Sequence, residues 1–525
     1  MEKFYITTTL PYVNAAPHIG FALEIVHADI IARYHRMLGH EVFFNTGTDE
    51  HGLKIYRKAQ EEGKEPQVYV DEWAARFKKL QQLLNISDDL HFIRTTDLEH
   101  MKAAQEFWRR CDKAGYIYKK VYEAKYCVGC ELEKTDSELA DGHCPLHPNL
   151  ELEIINEENY FFKFSAFQKP LLELYEKYPD FVIPASRLKE IRTFVEGGLQ
   201  DFSISRLKEK MPWGVPVPND DKQVMYVWFD ALVNYISTLG WPNDTKKFEE
   251  FWGTKEEPRA VQIAGKDNLR QQSAIWQAML MAADLPASRH IWIHGFITSN
   301  GQKMSKSLGN VIDPAELIEK LKGLGLSADA AIDAFRYWLA REANTFEDSD
   351  YTWEKFVESY NANLANGLGN YVSRLVGLVV SDDVWPELEA GFSTDNLGAD
   401  KLFLNYKKAL ANFNVKEGYD LLFAQTGSEN YPEVFDNEPT PLNEPYISGA
   451  TGTTFSVSVG NLYIQKSQLF NLGQEERKEK MQRPLKDLRK FALMIEPILP
   501  TASKRIMEVL KNKTKLTSPL FPRIS

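Results

Sequence analysis

A chain of 525 residues exceeds one ordinary domain and predicts three or four. Hydrophobic residues at 43% and charged residues at 26% exclude a disordered chain, and apolar runs such as Leu375–Val380 are far too short to span a bilayer. The net charge of −12 argues against general attraction to nucleic acid and leaves only local basic strips: Arg187–Arg192, Arg206–Lys210 and Arg477–Lys490.

The N-terminus enters a strand, Phe4–Thr9, with no charged segment ahead of an apolar one, so a cytoplasmic address is expected. A loop and an apolar-periodic helix, Ile19–Leu38, follow. Strand Glu41–Asn45 then runs into Gly47-Thr-Asp49-Glu-His51-Gly52. This alternation predicts a parallel sheet with ligands at the C-terminal ends of its strands. Near residue 116 the texture changes to short strands, turn residues and a cysteine cluster, marking an inserted domain. Parallel-sheet texture returns with Gln223–Phe229, Ala260–Ala264 and His290–His294, before a loop carrying Lys303-Met-Ser-Lys-Ser307. From about Asp333 the pattern is helical and predicts a C-terminal bundle. Within it, residues 425–455 carry Pro432, Pro439, Pro441, Pro445, Gly427, Gly449 and Gly452, an irregular excursion too long for an ordinary loop. There are no internal repeats.

Four cysteines are too few for a disulfide scaffold. Cys127-x₂-Cys130-x₁₃-Cys144-x₂-His147 has the spacing of a tetrahedral Cys₃His zinc site, structural because every ligand is protein. His143 is the alternative fourth ligand, and Cys111 reads as a buried small hydrophobe.

The chain has no GxxxxGK[ST] loop, which excludes P-loop nucleotide binding. It offers instead Pro17-His18-Ile19-Gly20-Phe21, where a strand gives way to a helix whose N-terminus can face phosphate. Gly20 would allow close backbone approach, and His18 could donate a hydrogen bond. Lys303 and Lys306, flanked by Gly301 and Gly309, could bracket an anion. Either piece alone is more often an ordinary helix cap or a solvated lysine pair.

Together, His18-Ile-Gly-Phe21 and Lys303-Met-Ser-Lys-Ser307 resemble the paired signatures of the class I aminoacyl-tRNA synthetases. Leu10-Pro-Tyr-Val-Asn14, Gly47–Gly52, Tyr226-Val-Trp-Phe-Asp-Ala231, Gly265-Lys-Asp267 and Gly309-Asn-Val-Ile-Asp-Pro314 resemble its methionyl branch. The likeness runs from residue 4 to about 424 and more weakly from 456 to 500. There are three departures from the pattern: Phe21 replaces a second histidine, Gln271-Gln272 replaces Phe-His, and Phe202 replaces a tryptophan.

The resemblance implies an α/β fold. A Rossmann-type catalytic domain would occupy residues 1–115 and 206–298, split by a zinc-bearing connective domain at 116–205. A signature-loop and stem-contact region would follow at 299–350, then a helical anticodon-binding domain at 351–525. It implies ATP-dependent activation of L-methionine and transfer to initiator and elongator tRNA(Met), with Mg²⁺ accompanying ATP. His18, Lys303 and Lys306 would be catalytic; Gly20, Phe21, Gly265 and Asp267, with both lysines, would bind ATP. Leu10, Tyr12, Asp49, Trp228, Ala231, Leu232, Tyr235 and Gln272 would hold methionine, with Asp49 on its ammonium. Asn370, Arg374 and Phe470 would meet the anticodon, the last in place of a Pro-Trp pair after Asn461-Leu-Tyr463-Ile464. A monomer is expected. Two rivals stand beside this reading. One is a class I synthetase for another apolar amino acid, although 116–222 is too short for an editing domain. The other is a non-catalytic tRNA- or partner-binding paralogue.

Overall fold

Val261-Gln-Ile-Ala-Gly265 is buried along its whole length, as a parallel strand covered on both faces must be. It is the centre of the molecule's main sheet. The computed structural model describes residues 1–14, 16–130, 132–134, 138–304, 309–383, 385, 397, 400–423, 457–466 and 469–525. They divide into two units. The first holds Met1–Pro17, His40–Gln82 and Asp88–His294; the second holds His18–Gly39, Leu83–Ser87 and Gly295–Ser525.

The strands of the first unit are β1 (Lys3–Thr7), β2 (Glu41–Thr48), β3 (His91–Arg94), β4 (Ile117–Cys127), β5 (Leu132–Lys134), β6 (Glu153–Phe162), β7 (Val182–Ile183), β8 (Phe202–Ser203), β9 (Ser205–Leu207), β10 (Gln223–Met225), β11 (Val261–Gly265) and β12 (His290–His294). Six of them form one sheet in the order β3-β2-β1-β11-β12-β7. Every neighbouring pair is parallel, in the open α/β arrangement expected. One apolar core, including Phe107, Trp108, Phe229, Tyr235 and Trp276, packs within this unit.

The inserted segment is a second, antiparallel sheet, β5-β4-β6-β8. Its main strands are not short as expected: β4 and β6 pair from Ile117↔Phe162 to Tyr126↔Glu153. Lys and Glu crowd both strands, and Lys119, Lys120 and Val121 are exposed in a row, so the alternation that marks a long strand is masked. The expected strand Gln223–Phe229 also needs correction. Only Gln223–Met225 is extended, and it pairs antiparallel with β9 outside the parallel sheet. Val227–Ala231 is a helical turn. A short, largely apolar run is compatible with strand or buried helix, and periodicity does not separate the two.

Among its described residues the second unit is helical apart from β13 (Ile297–Ser299), β14 (Gln302–Lys303) and β15 (Ser349–Tyr351), ordered β14-β13-β15. Its helices resume at Pro314–Gly323, earlier than Asp333, started by Pro314 at the first turn and by Asp313, whose carboxylate accepts from the Ala315 N–H. Arg336 is its buried keystone. The guanidinium pairs with Asp29 at 2.9 Å and donates to the carbonyls of Leu84, Pro497 and Ile498. Removing Asp29 would strand that charge at a cost of about 3–5 kcal/mol. The Pro-rich excursion 425–455 lies outside the described residues. Among the described residues, no helix is long and apolar enough to cross a membrane.

Candidate active site

The ends of β1 and β2 are tied together beyond the sheet proper. Tyr12 bridges Asp49 in parallel register, the Asp49 N–H donates to the Pro11 carbonyl (3.0 Å), and the Val13 N–H donates to the Asp49 carbonyl (3.2 Å). Leu10 and Tyr12 are half-buried there, and Asp49 is 7% exposed. Every neighbour of Asp49 in the motif has a structural task. A Cβ on Gly47 would lie 1.8 Å from the Ile93 carbonyl oxygen, so only glycine fits. The fully buried Glu50 takes a two-pronged contact from Arg94 (2.7 and 2.9 Å) and a hydrogen bond from Thr48 (2.6 Å). His51 reaches Asp230 at 2.6 Å.

Asp230 connects this loop to the helical turn carrying Trp228 and Ala231. His100 contacts its second oxygen at 2.8 Å. Burial alone would raise the Asp230 pKa, but the two imidazoles outweigh burial and bring it down to about 2. Trp228 is half-buried against the core that holds Leu232 and Tyr235, and its indole N–H is buried without a hydrogen-bond partner. Gln272 is aimed by a π-helical turn, Gln271–Ile275, and its amide N–H donates to the Tyr235 hydroxyl at 2.7 Å. At the end of β11, Gly265 leaves room for the Asp267 carboxylate, which would otherwise sit 2.8 Å from a Cβ.

In the second unit, His18 is the N-cap of helix Ile19–Met37. Its Nδ1 accepts from the Gly20 N–H at 3.1 Å. That bond assigns the ring proton of the neutral imidazole to Nε2, so the outward nitrogen is a donor. Gly20 has a steric reason beyond close approach to a nucleotide: a Cβ there would lie 2.9 Å from His18 Cε1. Phe21 is half-buried in the first turn, and its N–H is taken by the His18 carbonyl (3.0 Å). The Ile19 N–H donates to the Ile312 carbonyl (2.9 Å), which brings the helix start beside the segment following the lysine loop. Lys303 ends β14, its ammonium 5.8 Å from the Phe296 ring, and its carbonyl accepts from Asn310 at 3.3 Å. Lys306 lies outside the described residues.

The four expected metal ligands cluster. His147 Nδ1 lies 3.2 Å from Cys130 Sγ, 3.7 Å from Cys127 Sγ and 4.0 Å from Cys144 Sγ, and Cys130 and Cys144 are 3.4 Å apart. Donors about 2.0–2.3 Å from a tetrahedral zinc lie roughly 3.5–3.8 Å from each other, so the set fits that ion. His143 is not one of the four. Gly129 makes the arrangement possible, because a Cβ there would fall 2.5 Å from His147 Cγ.

A family profile described as tRNA synthetases class I (M) matches residues 4–151 and 147–376. The chain is 38% identical over 518 residues to the methionine–tRNA ligase of Nostoc sp., covering 97% of this chain and 90% of that relative. It is 37% identical over 512 residues to the Thermotoga maritima methionine–tRNA ligase, covering 96% and 74%. The chain belongs to the methionyl class I tRNA synthetases. Its structure is similar to that of Mycobacterium tuberculosis methionyl-tRNA synthetase in complex with methionyl-adenylate, with a TM-score of 0.83, 31% identity and 100% of each chain covered.

Of the three residues that the resemblance assigns to the anticodon, two touch in this synthetase. Asn370, exposed at the start of helix Asn370–Asp382, donates to Asn461 at 3.1 Å. One turn on, the Arg374 guanidinium lies over the Phe470 ring at 5.4 Å, and Phe470 is 53% exposed. Sequence reasoning gave no role to Glu50, His51, Asp230 or His100. Glu50, His51 and Asp230 lie in the quoted motifs, and Asp230, the one charged residue of Tyr226–Ala231, was the available signal.

Proposed function

We propose that this chain is a methionine–tRNA ligase that activates L-methionine with ATP and charges initiator and elongator tRNA(Met), as a cytoplasmic monomer. What carries the reading is agreement with such ligases along nearly the whole chain, at 38% identity over 97% of it. A methionine carboxylate oxygen attacks the α-phosphorus of ATP, the bond to pyrophosphate breaks, and methionyl-adenylate forms. The terminal ribose hydroxyl of the tRNA then attacks the activated carbonyl, and AMP leaves. Such displacements ask the protein for position and charge rather than for covalent help.

The buried carboxylate of Asp49 suits an ammonium, and a soft thioether suits the aromatic and aliphatic walls of Leu10, Tyr12, Trp228, Ala231, Leu232 and Tyr235, with Gln272 behind Tyr235. The Nε2–H of His18 and the helix start at Gly20 and Phe21 suit phosphate, Gly265 and Asp267 the rest of the nucleotide, and Lys303 with Lys306 the charge gathering on pyrophosphate. Mg²⁺ enters with ATP. Cys127, Cys130, Cys144 and His147 hold zinc, which when bound staples the connective segment 116–205. Residues 1–115 and 206–298 form the catalytic domain, 299–350 the signature loop and stem contacts, and 351–525 the anticodon domain. There Asn370, Arg374 and Phe470 offer an edge and a stacking face to unstacked bases.

The test is amino-acid-dependent exchange of pyrophosphate into ATP, run with methionine, leucine, isoleucine and homocysteine, followed by tRNA charging. Strong exchange with methionine alone supports the reading. Exchange with leucine or isoleucine instead would move the chain to another apolar specificity, and none with any amino acid would leave a binding paralogue.

A further inference from the structure

Asp49 stands in its loop beside two side chains that are pinned in different directions. The fully buried Glu50 is fixed to the sheet: Arg94 and Thr48 hold its carboxylate, and its N–H donates to Thr95 Oγ1 at 2.9 Å. His51, 3% exposed, points away from those contacts and meets Asp230 through Nδ1 at 2.6 Å. Asp230 lies in the helical turn Val227–Ala231, two residues after Trp228 and directly before Ala231.

The Asp230 carboxylate is committed on both oxygens. A carboxylate only accepts, so the ring nitrogens facing it carry protons: His51 Nδ1–H on Oδ2 and His100 Nε2–H on Oδ1. His100 belongs to helix Leu98–Lys113, and its other nitrogen lies 2.9 Å from the Ser237 hydroxyl, at the end of helix Asn234–Ser237. Burial of all three side chains strengthens each contact. The turn is therefore fixed to two helices through one oxygen and to the Asp49 loop through the other. This last contact joins groups 179 positions apart, so removing it loosens loop against turn and leaves the backbone of each intact.

We propose that His51 and Asp230 form a ruler: they set the distance between Asp49 at the ammonium end of the pocket and Trp228 and Ala231 at the side-chain end, and so select amino acids by length. Both are positioning residues, acting through Asp49 and through the turn. The class selected is an α-amino acid with sulfur as the third atom beyond Cα and a single methyl after it. The inference rests on the reading that Asp49 and Trp228 belong to one methionine pocket.

The experiment measures kcat/KM in pyrophosphate exchange for methionine, for ethionine, one methylene longer, and for S-methylcysteine, one methylene shorter. A single methylene in an apolar pocket is worth about 10–200-fold. His51→Asn puts an amide N–H where Nδ1 was and should keep the preference for methionine. His51→Gln puts it at the Nε2 position and His51→Ala supplies none. In both, the ratios of methionine to ethionine and to S-methylcysteine should fall roughly tenfold, with the ATP KM unchanged. If His51→Ala does not fold, the Asn and Gln variants, which differ only in where the amide sits, carry the comparison. Rescue by Gln and not by Asn would give the role to Nε2 and overturn the ruler. Equal losses for all three amino acids, with the ratios intact, would mark His51 as merely structural and overturn it too. Asp49→Asn separates the ruler from the pocket. If it raises the methionine KM while His51→Gln leaves the ratios unchanged, the ruler falls and the pocket reading survives; if it leaves the methionine KM unchanged, the pocket reading fails and the ruler with it.

Discussion

Asp333→Asn should make the second unit more stable at alkaline pH and leave it unchanged in acid. Asp333 is 1% exposed on helix Ala328–Tyr337 and accepts from the Ala502 N–H at 2.6 Å. Burial pushes its pKa from 3.8 up to about 7, against partial relief from the Ala502 N–H and Arg336. The folded chain therefore keeps a proton that the unfolded chain releases above pH about 4. Stability falls as pH rises through this window and stops falling above the folded pKa. Moving a carboxyl from 3.8 to about 7 amounts to roughly 4 kcal/mol at about 1.4 kcal/mol per pKa unit. No discount for solvent screening applies to a group this buried. Asparagine keeps an acceptor for the Ala502 N–H but has no charge to acquire. The stability difference between variant and wild type should open from near zero at pH 4 to roughly 4 kcal/mol at pH 8. Amide exchange of residues 328–337, corrected for intrinsic rates, measures it locally and avoids treating a two-unit chain as one transition. Parallel pH profiles for the two proteins would refute the reasoning.

The other expectations follow from single contacts. Gly20→Ala places a methyl 2.9 Å from the His18 ring and should raise the ATP KM about tenfold, with methionine binding by calorimetry unchanged. Gly129→Ala drives a methyl into His147 and should weaken zinc retention by about 10–100-fold in chelator competition, while Cys111→Ala leaves retention as it was. Arg374→Ala and Phe470→Ala should each lower kcat/KM for tRNA charging about tenfold or more, and leave tRNA-free exchange intact.

Features that live in local sequence were legible. Cysteine spacing announced the knuckle because ligands two residues apart on a turn converge whatever surrounds them, and Gly47–Gly52 announced a strand-end loop. What escaped depends on topology. His51 and Asp230 stand 179 positions apart, and the partners of Arg336 come from three separate stretches of chain. No period in a sequence encodes which strand crossover brings such groups together. The misreading of Gln223–Phe229 has a different origin. Its residues are buried apart from the half-buried Trp228, and such a run fits strand or helix alike; in the helical turn that follows, Asp230 reaches two histidines.

The three departures from the family pattern differ in physical kind. Phe202 lies tilted against Phe162 and edge-on to Phe164, while Asp201 beside it takes hydrogen bonds from Tyr118 and Ser165; an indole has been exchanged for a smaller ring in an apolar place. Phe21 gives up a side-chain donor outright, and its backbone N–H is spent inside the helix. Gln272 is neither a loss nor a like-for-like exchange. An amide carries a donor and an acceptor at fixed geometry, and in a site 1% exposed both must be met or the fold bears about 1–3 kcal/mol. Gln262 meets one and Tyr235 the other.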